Sequence, residues 1–186
     1  RLTRLIDPRS YDVATTAAPT ENESRYNYLW RFYQTFPVKG KMTIYDRSWY
    51  GRVLVERVEG FAPEHRWADA YEEINEMEHN LVHDGLLIIK FLIVIDKEEQ
   101  KQRFKDREND PEKNYKLTDE DWRNHEKFEQ YEEAMNEMVA RTDTKDAPWI
   151  IVEGNQKEYA RSKVLKEFIS RTRAFMDSHE DKNQEK

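Results

Sequence analysis

A chain of 186 residues suits a single domain, and its 38 acidic against 31 basic side chains leave a net charge of −7. That balance disfavours general nucleic-acid binding, so no nucleic-acid partner is expected. A local basic channel stays open to it, because partners feel the local field. With no cysteine, the chain has neither a disulfide scaffold nor a thiol nucleophile. This fits a reducing compartment, and a cytoplasmic location is the expectation. No apolar run reaches the roughly 18 residues of a membrane helix, so no membrane partner is expected. The longest candidate, Leu86–Ile95, is interrupted by Lys90. Hydrophobic and charged residues each make up 37%, so the apolar ones must be concentrated in a few elements.

The segment "YDVATTAAPT" reads as a short strand running into a turn at Pro19, and Thr20 with Glu23 makes a capping box. Tyr28, Leu29, Phe32 and Phe36 then recur at helical spacing, which reads as core packing rather than a base-stacking platform. After the turn "VKGK", Met42–Tyr45 is a strand, and Ser48 can cap a helix running to about Glu59 and ended by Gly60. Pro63 and Glu64 open a helix from Trp67 to His83, closed by Asp84-Gly85. "LLIIKFLIVID", residues 86–96, is β-branched and nearly continuous, as a buried parallel strand is. Lys97–Arg107 is a charged helix and "ENDPEKNYKL" a loop. A second capping box, "TDED" from Thr118, begins a long polar helix to about Arg141. "WIIVEG", 149–154, is another buried strand, followed by a helix from Lys157 to about Phe175 and a disordered tail over 176–186.

Strands alternating with helices imply an α/β fold with a parallel sheet covered on both faces. Ligands of such sheets sit outside the carboxyl ends of the strands, where Asp46, Asp96 and Glu153-Gly154 fall. In "MTIYDRSWYGR", residues 42–52, a strand ends in an acid beside a base. Asp46 there can hold Mg²⁺ directly or through water. Arg47 can neutralise phosphate oxygens two at a time. Arg52 follows, with Glu56 four residues on to pair with it and aim it. The same residues also fit a helix cap beside solvated arginines, and the local pattern leaves the two readings even. Residues 101–116 hold six basic side chains against four acids, with Arg103 and Arg107 on one helical face and Lys113 and Lys116 beyond Pro111. Such a segment suits a lid over phosphates, or an ordinary charged surface. "GK" at Gly40-Lys41 lacks the surroundings of a P-loop. His79 and His83 share a helical face, but with no third ligand in view and no H-E-x-x-H pattern they read as surface histidines.

"YDRSWYGRVLVERVEGF", "RENDPEKNYKLTDEDWRN" and "APWIIVEGNQKEYARSKVL" resemble polyphosphate kinase family 2 in sequence and order, over nearly all of residues 1–175. Among its subgroups, the chain looks most like the polyphosphate:AMP phosphotransferases. The resemblance implies a P-loop kinase-like three-layer domain over 1–175, with a helical lid at about 103–141. It implies Mg²⁺-dependent phosphoryl transfer between inorganic polyphosphate and a nucleotide, AMP to ADP or ADP to ATP. It implies that Asp46 serves Mg²⁺ and the phosphates, that Arg47 contacts the phosphates, and that Arg52 belongs to the same pocket. Arg107, Lys113 and Lys116 match the lid's basic residues, and Arg4 would face the polyphosphate path. A homo-oligomer is also implied. The family's Walker A loop lies just ahead of the "RLT" stretch with which the chain begins, so the expectation is a fragment that is inactive alone. An ATP-dependent nucleoside monophosphate kinase and a non-catalytic polyphosphate-binding domain remain as competing readings.

Overall fold

A computed structural model describes residues 2–112, 114–116 and 119–184, with side chains at all of these except 5, 116, 119, 120 and 179–184. The chain divides into two compact units, Arg1–Ile74 and Asn75–Lys186.

The first unit is built on a parallel pair, β1 (Tyr11–Thr15) and β2 (Met42–Asp46), in register from Tyr11 opposite Met42 to Thr15 opposite Asp46. The Thr20–Glu23 capping box forms reciprocally: Thr20 N donates to Glu23 Oε2 at 2.7 Å and Glu23 N to Thr20 Oγ1 at 3.2 Å. It opens only a 3-10 turn, Glu23–Arg25, and the expected aromatic helix shrinks to α1 (Trp30–Tyr33). Asn27 Oδ1 accepts from Leu29 N at 2.9 Å, a local turn that competes with helix on the N-terminal side. Pro37 disfavours helical backbone at Phe36 on the other. Leu29 and Phe32 are nonetheless buried, as their spacing implied.

Ser48 stands at the start of the next helical segment, but its side chain makes no cap bond. The single helix expected from there to Glu59 is instead a 3-10 turn, Trp49–Arg52, followed by α2 (Val55–Val58). Gly51 and the β-branched valines weaken α-helix locally, and Trp49, Tyr50 and Val53 are all buried. Gly60, at φ 71°, ends the segment. The long helix α3 (Glu64–His83) follows, carrying the buried Ala70, Tyr71 and Ile74 in the first unit.

In the second unit α3 stops in a Schellman motif: Gly85 N bonds Val82 O, Leu86 N bonds Leu81 O, and Gly85 has φ 95°. Leu86 thus belongs to the helix cap, and the strand expected over 86–96 is the shorter β3 (Lys90–Val94). It pairs in parallel with β4 (Trp149–Glu153), from Lys90 opposite Trp149 to Val94 opposite Glu153. Between them run α4 (Lys97–Glu108), α5 (Asp119–Glu126) and α6 (Phe128–Thr142). The long helix expected to reach Arg141 is therefore broken at Lys127. On one side of the break Trp122 and His125 of α5 meet Phe104 of α4 edge-on, at 5.2 and 6.1 Å. On the other, α6 buries Ala134 and Met138. The capping box at Thr118 lies outside the described residues. α7 spans Lys157–Gln184 and so continues through most of the stretch expected to be a disordered tail. That stretch contains no glycine or proline to stop a helix. Ile150, Val152 and Ala160 form a buried cluster joined by Ile89, Phe91 and Val164. No described helix is long and apolar enough to cross a membrane.

Lys90, which interrupts the apolar run, is itself buried. Its Nζ donates to Glu78 Oε2 and to Thr142 O, each at 2.8 Å, and lies 4.8 Å from the centre of the Trp149 ring. Burial pulls the ammonium below the usual lysine pKa, while Glu78 and then Asp143 oppose that shift. Removing one partner of such a pair leaves a buried charge uncompensated. Glu78→Ala should therefore cost about 3–5 kcal/mol in urea unfolding, whereas Glu78→Leu with Lys90→Met should recover most of it.

Candidate active site

At the carboxyl end of β2 the ladder continues for one more bond, Thr16 N to Asp46 O at 3.2 Å. The chain then turns sharply. Arg47 has φ 63°, the only positive φ at a non-glycine residue among those described. For an L-residue with a Cβ, left-handed backbone costs roughly 1–2 kcal/mol and persists only where the surroundings enforce it. Here Thr16 Oγ1 donates to Arg47 O at 2.9 Å. Just beyond, Trp49 and Tyr50 are buried, and Trp49 lies edge-on to Tyr45, Phe32 and Phe36 at 5.2, 5.8 and 6.1 Å. The aromatic pair of "DRSWY" thus nails down the turn, and Asp46 and Arg47 stand exposed on it. Among the described residues the Asp46 carboxylate accepts no hydrogen bond and Arg47 pairs with no carboxylate.

Arg52 is held differently. Its Nη1 lies 2.8 Å from Glu56 Oε2, and its guanidinium lies over the Tyr28 ring, 4.4 Å from the centre. Three polar atoms of this cluster are buried without a hydrogen-bond partner among the described residues: Arg52 Nε, Tyr28 Oη and Glu73 Oε2. Burial, and next the Glu73 carboxylate, push the Tyr28 phenol far above its ordinary pKa, so it stays protonated. Neither Tyr28, read from the sequence only as core packing, nor Glu73 is among the site candidates the sequence offers. The apolar spacing that put Tyr28 in the core says nothing about its hydroxyl, and no local pattern marks Glu73. Among the described residues no hydrogen bond or ion pair joins this cluster to Asp46 or Arg47. Arg4 is exposed in a 3-10 turn, Leu2–Leu5.

In the second unit, charged residues at the strand ends are engaged in structure. Asp96 caps α4, accepting from Glu99 N at 2.7 Å and from Asn155 Nδ2 at 2.5 Å, and these bonds hold its carboxyl below the usual range. Glu153 pairs with Lys163 at 2.7 Å. Arg103 donates from Nε to Glu99 Oε1 at 2.7 Å and from Nη2 to Gly154 O and Asn155 O, tying α4 to the end of β4. Gly154 itself has no room for a side chain, since a Cβ would lie 2.9 Å from methyl carbons of both Ile93 and Ile95. Arg107, in the last turn of α4, has its guanidinium 5.9 Å from the Phe104 ring centre and no carboxylate partner among the described residues. Lys116 closes a 3-10 turn, Asn114–Lys116. Lys113 lies outside the described residues.

Parallel strands connected through helices, β1 with β2 and β3 with β4, make this an α/β protein. The profile of polyphosphate kinase 2 matches residues 1–181, and the chain belongs to that family. It is 52% identical over 166 residues to a polyphosphate:AMP phosphotransferase of Pseudomonas aeruginosa, covering 89% of this chain and 34% of that protein. It is 48% identical to one of Acinetobacter johnsonii, covering 96% of this chain and 37% of that protein. The crystal structure of polyphosphate kinase 2 from Arthrobacter aurescens superposes with a TM-score of 0.86 at 33% identity, covering 89% of this chain and 58% of that one. The chain therefore spans about a third of the length of the Pseudomonas and Acinetobacter relatives.

If the turn at Arg47 is held under backbone strain, glycine should relieve what alanine cannot. Arg47→Gly is expected to be more stable than Arg47→Ala by about 0.5–1 kcal/mol, read as the difference between their urea midpoints.

Proposed function

We propose that this chain takes part in Mg²⁺-dependent phosphoryl transfer between inorganic polyphosphate and a nucleotide, AMP to ADP foremost, or ADP to ATP. The observation that carries the reading is the strained turn at the end of β2, which holds Arg47 and the Asp46 carboxylate exposed and, among the described residues, without an ion-pair partner. Strain of this kind is retained where a side chain must be aimed. The activities named for the Pseudomonas and Acinetobacter relatives are of this class.

A free, exposed carboxylate fits Mg²⁺, which takes one or two protein carboxylates and leaves its other positions to water and phosphate oxygens. Asp46 would hold it, and the ion would neutralise charge on the phosphate oxygens. Arg47 would grip the transferring phosphate through two donors at once. Arg52, kept in place by Glu56 and the Tyr28 ring, would add its positive charge to the same pocket. A nucleotide phosphate oxygen is already an anionic nucleophile, so the chain need not supply a strong base. Its task is alignment and charge neutralisation. In this reading residues 1–175 form one kinase domain, and 103–141 are its lid. Arg107 would close over the transferring group and help hold it, Lys113 and Lys116 would draw the polyanion, as would Arg4, and Arg103 would position the lid through Gly154. A homo-oligomeric state completes the proposal.

The test is an assay of the protein that carries this chain, with polyphosphate, Mg²⁺ and either AMP or ADP, and with ATP omitted. Nucleotide phosphorylation is expected, and Arg47→Ala or Arg107→Ala should lower kcat on the order of 10³-fold. Phosphorylation that requires ATP would favour the monophosphate kinase instead. Polyphosphate binding without turnover would favour the non-catalytic domain, and undiminished turnover in both variants would remove the roles assigned to the arginines.

A further inference from the structure

The histidines set aside in the sequence acquire a third partner from the fold. His79 and His83 lie one turn apart on α3, with ring centres 4.1 Å apart. Asp146, in the connection between α6 and β4, brings Oδ2 to 2.7 Å from His79 Nδ1. One donor atom from each of the three lies within 4.8 Å of the other two. We propose that His79, His83 and Asp146 form a binding site for a borderline divalent transition-metal ion such as Zn²⁺.

The donor set decides the class of ion. Two imidazoles and one carboxylate suit Zn²⁺, Co²⁺ or Ni²⁺, whereas Mg²⁺ prefers oxygen throughout. Ligands at 2.0–2.2 Å in a tetrahedron stand about 3.4 Å from one another. His79 Nδ1 and Asp146 Oδ2 stand 2.7 Å apart and all three donors lie within 4.8 Å of one another, so small side-chain rotations would bring them to that spacing. His79 and Asp146 retain 55% and 32% of their side-chain exposure, which leaves room for water as the fourth ligand.

The backbone beneath is already fixed. Asn75, one turn before His79 on the same helical face, donates from Nδ2 to Arg141 O at 2.9 Å. Glu78 reaches the end of α6 through Lys90, whose Nζ also donates to Thr142 O. Within the connection itself, Trp149 N donates to Asp143 Oδ1 at 2.8 Å, Ala147 N to Thr144 Oγ1 at 3.2 Å, and Ala147 is fully buried. Asp146 is therefore presented to α3 by a short, anchored segment. Little chain entropy remains to be lost when an ion joins the three, which favours binding. The bound ion would clip the α6–β4 connection to α3 and raise the stability of the second unit by mass action.

The test is calorimetric titration of the chain, purified without a polyhistidine tag, with Zn²⁺ and separately with Mg²⁺. Wild type should bind one equivalent of Zn²⁺ saturably and show a Zn²⁺-dependent rise in Tm. His83→Ala and Asp146→Asn should each weaken binding about tenfold or more and abolish most of the Tm shift. His83 is exposed, so its replacement leaves the fold intact, and circular dichroism without metal verifies that for each variant. With Co²⁺ in place of Zn²⁺, visible absorption of a four-coordinate centre should appear in wild type and be lost in both variants. Absence of saturable Zn²⁺ binding, or equal binding by wild type and both variants, would overturn the site.

Discussion

The second unit is organised around one buried ion pair. Lys90 opens β3, Glu78 sits on α3, and the third partner, Thr142 O, is the end of α6 just before β4. An ammonium and a carboxylate removed from water lose several kcal/mol each unless their geometry and remaining hydrogen bonds are satisfied. That requirement makes the three elements interdependent, because displacing any one strands a charge. The neighbouring bonds follow the same line. Trp149 Nε1 donates to Thr142 Oγ1 at 2.9 Å, and the Trp149 ring lies against the Lys90 ammonium. With the start of β3 opposite the start of β4 so fixed, the register carries the other ends to a defined place. There Gly154 N bonds Val94 O, and Arg103 closes over the carbonyls of Gly154 and Asn155. The close approach that forbids a Cβ at Gly154 is a consequence of this register. The anchoring of Asp146 near His79 is another.

The first unit uses a different device for a similar end. Its strand end is fixed by aromatic packing rather than by a buried charge. Trp49 meets Phe32, Phe36 and Tyr45 edge-on, and such pairs contribute about 0.5–1.5 kcal/mol each beyond their burial. This is enough to offset the left-handed turn at Arg47. The motif "DRSWY" can then be read as two parts. The acid and base are left to solvent, and the aromatic residues hold the turn that presents them.

What could be read from the sequence was what depends on local pattern. Short apolar, β-branched runs located the four strands seen among the described residues, and glycines 40, 60 and 85 marked three chain reversals, each with positive φ. The Asp46-Arg47 turn was legible because a strand of an α/β protein ends there. Helix lengths were less so. Nothing in the aromatic spacing of residues 28–36 reports that Asn27 bonds Leu29 N instead of allowing a longer helix. Leu86 looks like the start of a strand and is instead the end of a helix cap. Long-range partners were illegible altogether. Lys90 was visible as an interruption, but not that Glu78, twelve residues earlier, neutralises it. Asp146 lies 67 positions from His79, and only the path of α6 into β4 brings them together. Tyr28 and Glu73 belong to the same class, since their significance lies in being buried polar atoms and not in their order along the chain.

The distribution of arginine partners bears on how a chain of net charge −7 could serve a polyanion. An arginine already bound to a carboxylate must release it, or share its donors, before it can take a phosphate. Arg103 is in that position, with Glu99 and two carbonyls occupying its donors. Arg52 is intermediate: Glu56 takes one end of the guanidinium, while its buried Nε has no partner among the described residues. Arg47 and Arg107 have no carboxylate partner among the described residues, so their charge is available without prior rearrangement. Screening reduces the influence of exposed charges beyond about 8–10 Å, so an acidic surface elsewhere weakens such a local site only slightly. The net charge therefore constrains non-specific association far more than it constrains the proposed phosphate binding at the end of β2, where the exposed pair stands on a turn that the fold holds under strain.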